Sequence, residues 1–189
     1  MTYLNGMFTN RSFLEVDRRF IRKLGDEILQ RSQNKNCTIL DAGCGTKAEA
    51  LMDITSSNPY LKGIGIDYYF EKSIEISKRV KLIKADLFYI PLQPVIDVAY
   101  TTHVIANISS YNTKIENKLI AKAIISISKT LKQKGIAFID EAIFTSTDYN
   151  LEYLKEILEE QHSGFNNDFK TARNPSLGLH GNYLTVQRI

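Results

Sequence analysis

The run Cys37-Thr-Ile-Leu-Asp-Ala followed by Gly43-Cys44-Gly45 constrains this chain more than any other segment. A short, mostly apolar run has the length of a strand buried on both faces, and two glycines one residue apart end it in a turn that side chains cannot easily follow. A helix is expected next, from Ala48 to about Ser56, before Asn58-Pro59 breaks the pattern. Strand, tight turn and helix open a βαβ unit, which commits the chain to a parallel sheet with crossovers on its faces.

The rest of the sequence extends that unit. Before it, Asn10 is a good N-cap for a helix placing Phe13, Leu14, Val16, Phe20, Ile21, Leu24 and Ile28 at helical spacing. After it, strands are expected at Leu61–Asp67, Lys81–Ala85, Val95–Tyr100 and Gly135–Phe144. The spacing of Phe70, Ile74, Ile76 and Val80 predicts a helix between the first two of these. Asn112 or Thr113 caps a helix with the stripe Ile115, Leu119, Ile120, Ala123, Ile124, Ile127 and Leu131, which Gly135 is expected to stop. A last helix carries Leu151, Leu154, Ile157 and Leu158. Between the final strands, Phe165–Ala172 and Asn182–Ile189, lie only Arg173–Gly181, too few for a crossover helix, so an antiparallel hairpin is expected. The fold class is α/β: a doubly wound, Rossmann-like sheet of about seven strands, mostly parallel, with an antiparallel C-terminal strand.

At 189 residues the chain suits a single domain, organised as an N-terminal helical cap over 1–36 and a core over 37–189. Hydrophobic residues at 43% and charged residues at 24% fit a globular protein, and a net charge of +3 is too small to demand a polyanionic partner. Cys37 and Cys44 form neither a disulfide framework nor a zinc spacing, and no basic leader or long apolar span occurs, so a cytoplasmic protein without a metal is expected.

Three acids fall at or next to the ends of successive strands: Asp41, Asp67 and Asp86. In an open α/β sheet the ligand lies beyond the carboxyl ends of the strands, where these acids gather. Gly43-x-Gly45-x-x-Ala48 also satisfies a dinucleotide fingerprint, but Asp41, two residues before the first glycine, would repel a pyrophosphate and attract an ammonium group. Asp67 suits the two hydroxyls of a ribose. Asp86 suits an adenine amino group, with Leu87 or Phe88 against the ring. Each has a plainer role open to it: Asp41 as a strand-end hydrogen bonder, Asp86 as a turn cap, Cys44 as a small filler.

Taken in order, Ile39-Leu-Asp-Ala-Gly-Cys-Gly-Thr46, Gly63-Ile-Gly-Ile-Asp67, Lys84-Ala-Asp-Leu87 and Ile96-Asp-Val-Ala-Tyr-Thr-Thr-His-Val-Ile-Ala-Asn-Ile108 make the chain resemble the class I S-adenosylmethionine-dependent methyltransferases, near the type 11 domain group. The resemblance covers residues 37 to 144. It implies S-adenosyl-L-methionine as cofactor and a methyl transfer by direct displacement, with a small-molecule acceptor ahead of RNA or protein. A noncatalytic cofactor-binding module of the same fold is the alternative. The implied cofactor residues are Asp41, Gly43, Cys44, Gly45, Asp67, Tyr68, Asp86, Leu87 and Thr101. Lys47 stands where the family commonly has a further glycine.

Tyr100, Thr101, Thr102 and His103 are expected just past the fourth strand, facing the acceptor. His103 or Glu141 is the candidate general base, since a neutral imidazole or a carboxylate can take a proton there. Asp140 accompanies Glu141 at the end of the fifth strand, and the terminal hairpin loop offers Arg173, Asn174 and His180. The N-terminal helix carries Arg11, Arg18, Arg19, Arg22 and Lys23, which could guide RNA or simply face solvent beside Glu15, Asp17, Asp26 and Glu27. The Asn/Asp-Pro-Pro-Tyr signature of many base amino-methyltransferases is missing, and a homodimer is compatible with the sequence.

Overall fold

The computed structural model describes residues 18–102, 104–105, 113–140, 151–174 and 179–189. In chain order the elements are α1 (Arg18–Ser32), β1 (Cys37–Ala42), α2 (Glu49–Ser56), β2 (Leu61–Asp67), β3 (Ile74–Ser77), β4 (Val80–Lys84), β5 (Ile96–Thr102), α3 (Thr113–Lys129), β6 (Leu131–Asp140), α4 (Leu151–Gln161), β7 (Phe165–Asn174) and β8 (Leu179–Arg188). The strands form one eight-stranded sheet in the order β3-β4-β2-β1-β5-β6-β8-β7. The run β4-β2-β1-β5-β6 is parallel, and β8 lies antiparallel to both β6 and β7.

Alternation along the strands divides the core between two layers. On one face Leu40, Ala42, Ile66, Ala99, Ala137, Ile139, Leu184 and Val186 pack against Ile120, Ala123, Ile124 and Ile127 of α3 and Leu154, Ile157 and Leu158 of α4. On the other, Cys37, Ile39, Val98, Tyr100 and Phe138 meet Leu24 and Ile28 of α1 and Leu51 and Ile54 of α2. Each fully buried aliphatic side chain of this kind contributes about 1.5–3 kcal/mol. Both faces are consumed, which is why these strands read as apolar runs.

The segment expected as a helix through Phe70, Ile74, Ile76 and Val80 is instead the edge strand β3. Ile74 and Ile76 are β-branched residues at a spacing of two; Ile74 pairs antiparallel with Leu82 of β4, and the register shifts between Glu75 and Ser77. The Ser77 hydroxyl oxygen accepts from the backbone N–H groups of Arg79 and Val80 at 3.2 and 3.1 Å, closing the hairpin. Arg79 Nη1 then donates to the carbonyls of Thr55 and Asn58, both at 3.0 Å, tying that hairpin to the end of α2. Among the described residues the extra strand makes eight where about seven were expected.

Gly135 does not stop α3. The helix ends at Lys129, Leu131 already pairs with Ile96, and Gly135 closes an irregular stretch of β6 where Lys134 is left-handed. A Cβ on Gly135 would come within 2.8 Å of the carbonyl oxygens of Ile96 and Lys132, so the tight approach explains the residue. The terminal hairpin is antiparallel as expected but longer. Arg173 and His180, expected in its loop, pair with each other in the ladder.

Candidate functional site

The chain builds outward from β1 to β2, β4 and β3 and then returns to β5 on the other side of β1. The crevice of such a sheet opens where the order reverses, here between β1 and β5 at their carboxyl ends. The glycine turn sits on that point. Gly43 and Gly45 both take left-handed backbone, at φ +84° and +67°, and the N–H groups of Gly43 and Cys44 both donate to the Ile66 carbonyl, at 2.7 and 3.1 Å.

The two glycines serve different purposes. A Cβ on Gly43 would lie 2.3 Å from Val104 Cγ2, so this position is closed by packing. A Cβ on Gly45 would meet nothing within 4 Å, so this position faces open room. Ala48, also left-handed at φ +46° and buried, leads into α2. Lys47 is exposed.

Asp67 ends β2 and pins the turn. Its Oδ2 accepts from the Gly45 N–H at 2.9 Å and its Oδ1 from the Tyr69 N–H at 2.9 Å. Asp41 is buried within β1, where its Oδ2 accepts from the Tyr100 hydroxyl at 2.9 Å. Both carboxylates act on one group: burial raises the pKa of the Cys44 thiol, and the charges of Asp41 and then Asp67 raise it further. Asp41, Cys44 and Asp67 therefore gather at the glycine turn, and the two carboxylates disfavour the Cys44 thiolate.

The remaining sequence-derived candidates divide. Asp86 caps its own turn, its Oδ1 accepting from the Phe88 N–H at 2.8 Å while its carbonyl accepts from Tyr89 at 2.9 Å. Leu87 and Phe88 are half-buried against the α3 face of the core. Tyr68 and Tyr69 stand exposed just beyond Asp67, their rings edge to face at 6.0 Å. Tyr100, Thr101 and Thr102 lie within β5 rather than past it. Thr101 is fully buried and offers no surface to a ligand in this arrangement. His103 and Glu141 lie outside the described residues. Tyr100 as the partner of Asp41 and Val104 as the packing against Gly43 were not foreseen. Only the β1–β5 register, which no local pattern encodes, brings them there.

Among the described residues no group of three or more His, Cys, Asp or Glu could hold a metal ion, and no helix is long and apolar enough to cross a membrane.

No family model matches the sequence, and no curated protein does. Solved structures match in shape. NodS, an N-methyltransferase from Bradyrhizobium japonicum WM9 in complex with S-adenosyl-l-homocysteine, matches with a TM-score of 0.56 at 14% identity, over 99% of this chain and 98% of its own. The 16S rRNA (adenine(1408)-N(1))-methyltransferase from Catenulisporales acidiphilia gives 0.56 at 11% identity, over 87% and 93%. The [4+2]-cyclase SpnF gives 0.55 at 17% identity, over 89% and 80%. At these identities the likeness is one of fold, and the chain has the Rossmann-like fold of class I methyltransferases.

Proposed function

We propose that this chain is an S-adenosylmethionine-dependent methyltransferase acting by direct displacement on a small-molecule acceptor, of the kind grouped with type 11 domains. The observation that carries the reading is Gly45: left-handed, open above, and held by Asp67 through its N–H. A cradle without a side chain, with acidic groups along its floor, fits an adenosyl ligand that carries an ammonium group and a sulfonium.

A carboxylate has about four acceptor sites, and Asp67 has used two of them on backbone N–H groups, leaving room for the two hydroxyls of a ribose. Asp41 supplies negative charge below the turn for the ammonium end. Tyr68 and Leu87 offer apolar faces to the base, and the second carboxylate oxygen of Asp86 would accept from its amino group. Thr101 supports β5 from inside. When bound, the cofactor supplies a methyl group already activated by the sulfonium charge, so the protein's task is alignment and exclusion of water. His103 or Glu141, following β5 and forming the continuation of β6 in sequence, would take the acceptor's proton where one must leave. Because α1 packs its Leu24 and Ile28 into the core, only the residues preceding it would be left to cover the acceptor.

Calorimetric titration of the folded protein with S-adenosylmethionine and S-adenosylhomocysteine tests this reading, and absence of binding to both overturns it. Mass spectrometry of cell extracts incubated with labelled cofactor would then identify the acceptor. An RNA acceptor is the second reading: one protein of this fold is an rRNA methyltransferase, and the exposed rings of Tyr68 and Tyr69 could stack on bases. A salt-sensitive gel shift would favour it. Cofactor binding without methylation across acceptor panels would favour a noncatalytic module of the same fold.

A further inference from the structure

Tyr100 lies directly opposite Asp41 in the parallel β1–β5 register, across the point where the strand order reverses. Its hydroxyl donates to Asp41 Oδ2 at 2.9 Å, and the two residues are 1% and 4% exposed. Packing alone does not call for a hydroxyl here. The next residue along the same sheet layer, Phe138 on β6, sits opposite Tyr100, is fully buried, and has no hydroxyl. A phenol inside a sheet needs a partner, and a buried carboxylate needs donors to hold its charge in place. The hydroxyl of Tyr100 meets both needs at the residue whose charge reaches the glycine turn.

We infer that Tyr100 is a positioning residue for the charged end of the ligand, its hydroxyl fixing the Asp41 carboxylate beneath the turn. The inference rests on the adenosyl-ligand reading above and adds to it a division of labour. Asp67 serves the nucleoside, whereas the Tyr100–Asp41 pair serves only ligands that carry the amino-acid end. Removing the hydroxyl should therefore change which ligands bind, beyond any general weakening.

The test is calorimetric titration of wild type and Tyr100→Phe with two probes, S-adenosylhomocysteine and 5′-methylthioadenosine, the second lacking the amino-acid end. Loss of a hydrogen bond to a charged group predicts roughly a tenfold weaker homocysteine adduct and less than about a twofold change for the thioadenosine. Equal loss for both probes in a folded variant overturns the inference and leaves the cofactor reading intact. Wild type that binds neither probe overturns both. Asp41→Asn and the double variant Asp41→Asn/Tyr100→Phe remove the buried charge, so they serve even where Tyr100→Phe fails to fold. If Tyr100 acts through Asp41, the two show the same ratio of affinities for the two probes within about twofold. A further fall in that ratio in the double variant shows that Tyr100 acts independently and overturns the inference.

Discussion

Gly43 and Gly45 share a motif and a backbone conformation, but their surroundings predict opposite consequences for the same substitution. Both have positive φ, so alanine at either costs about 1–2 kcal/mol from the left-handed backbone alone. At Gly43 the new Cβ would also lie 2.3 Å from Val104 Cγ2, a branched side chain that must shift, and overpacking of this kind adds about 1–3 kcal/mol. At Gly45 there is no such contact within 4 Å. For a chain of this length about 1 kcal/mol moves Tm by roughly 2–4 °C. Gly43→Ala should therefore lower Tm by roughly 4–20 °C and Gly45→Ala by no more than about 8 °C. Binding should follow the reverse order: Gly45→Ala fills the ligand's room and should weaken S-adenosylhomocysteine at least about tenfold, whatever its stability. Thermal unfolding by circular dichroism and calorimetric titration on the same preparations make the comparison. Equal destabilisation by the two variants, or wild-type affinity in Gly45→Ala, would refute the division of the turn into a packed half and an open half.

Asp67→Asn keeps one carbonyl acceptor where the carboxylate had two in use, so it should loosen the turn at Gly45 or Tyr69 and weaken both adenosyl ligands about tenfold or more, measured by the same titration. Burial, helped by Asp97, pushes the Cys37 thiol up to about 12, and Cys44 is raised too, so neither should react with a disulfide reagent at pH 8 until denaturant exposes both. Because both folded thiols lie above their ordinary value of 9.0, their contribution to stability is complete below pH 9 and is lost as pH rises toward 12. His162 is buried, stacked on Phe165 at 4.0 Å, with Nδ1 at 3.1 Å from Asn167 Oδ1, and its pKa is lowered, by burial first and by Lys129 as well. The sign is that of a histidine that resists charging: its contribution is present above about pH 6.5 and is lost as pH falls below it. His162→Phe should flatten the fall of Tm between pH 7.5 and pH 5.5.

The residues that enclose the site were legible where a local pattern and a tertiary demand coincide. β1 and β2 announced themselves because strands with most positions buried on both faces must be mostly apolar, and the glycine turn because no other residue takes that backbone cheaply. Phe70–Val80 misled for the opposite reason. Phe70 to Ile74 and Ile76 to Val80 are helical spacings, while Ile74 to Ile76 is a strand spacing, and pairing with β4 decided between them. Gly135 carried a turn signal that belongs to close backbone contact inside β6 rather than to a helix end. Thr101 and Tyr100 were placed beyond β5 because strand ends are set by how far β6 continues alongside, and the ladder runs on to Thr102 and Asp140. The Asp41–Tyr100 pair joins residues 59 positions apart in sequence, so it became visible only with the register.

The most direct test of the central claim is a titration of the isotopically labelled protein with S-adenosylhomocysteine, followed through its backbone amide resonances. The account requires the amides of Gly45 and Tyr69, both donated to Asp67, to shift together in a saturable way, while those of His162 and Asn167 at the α4–β7 corner stay in place. Saturable shifts confined to that corner, or none at Gly45 and Tyr69 up to millimolar ligand, would contradict it.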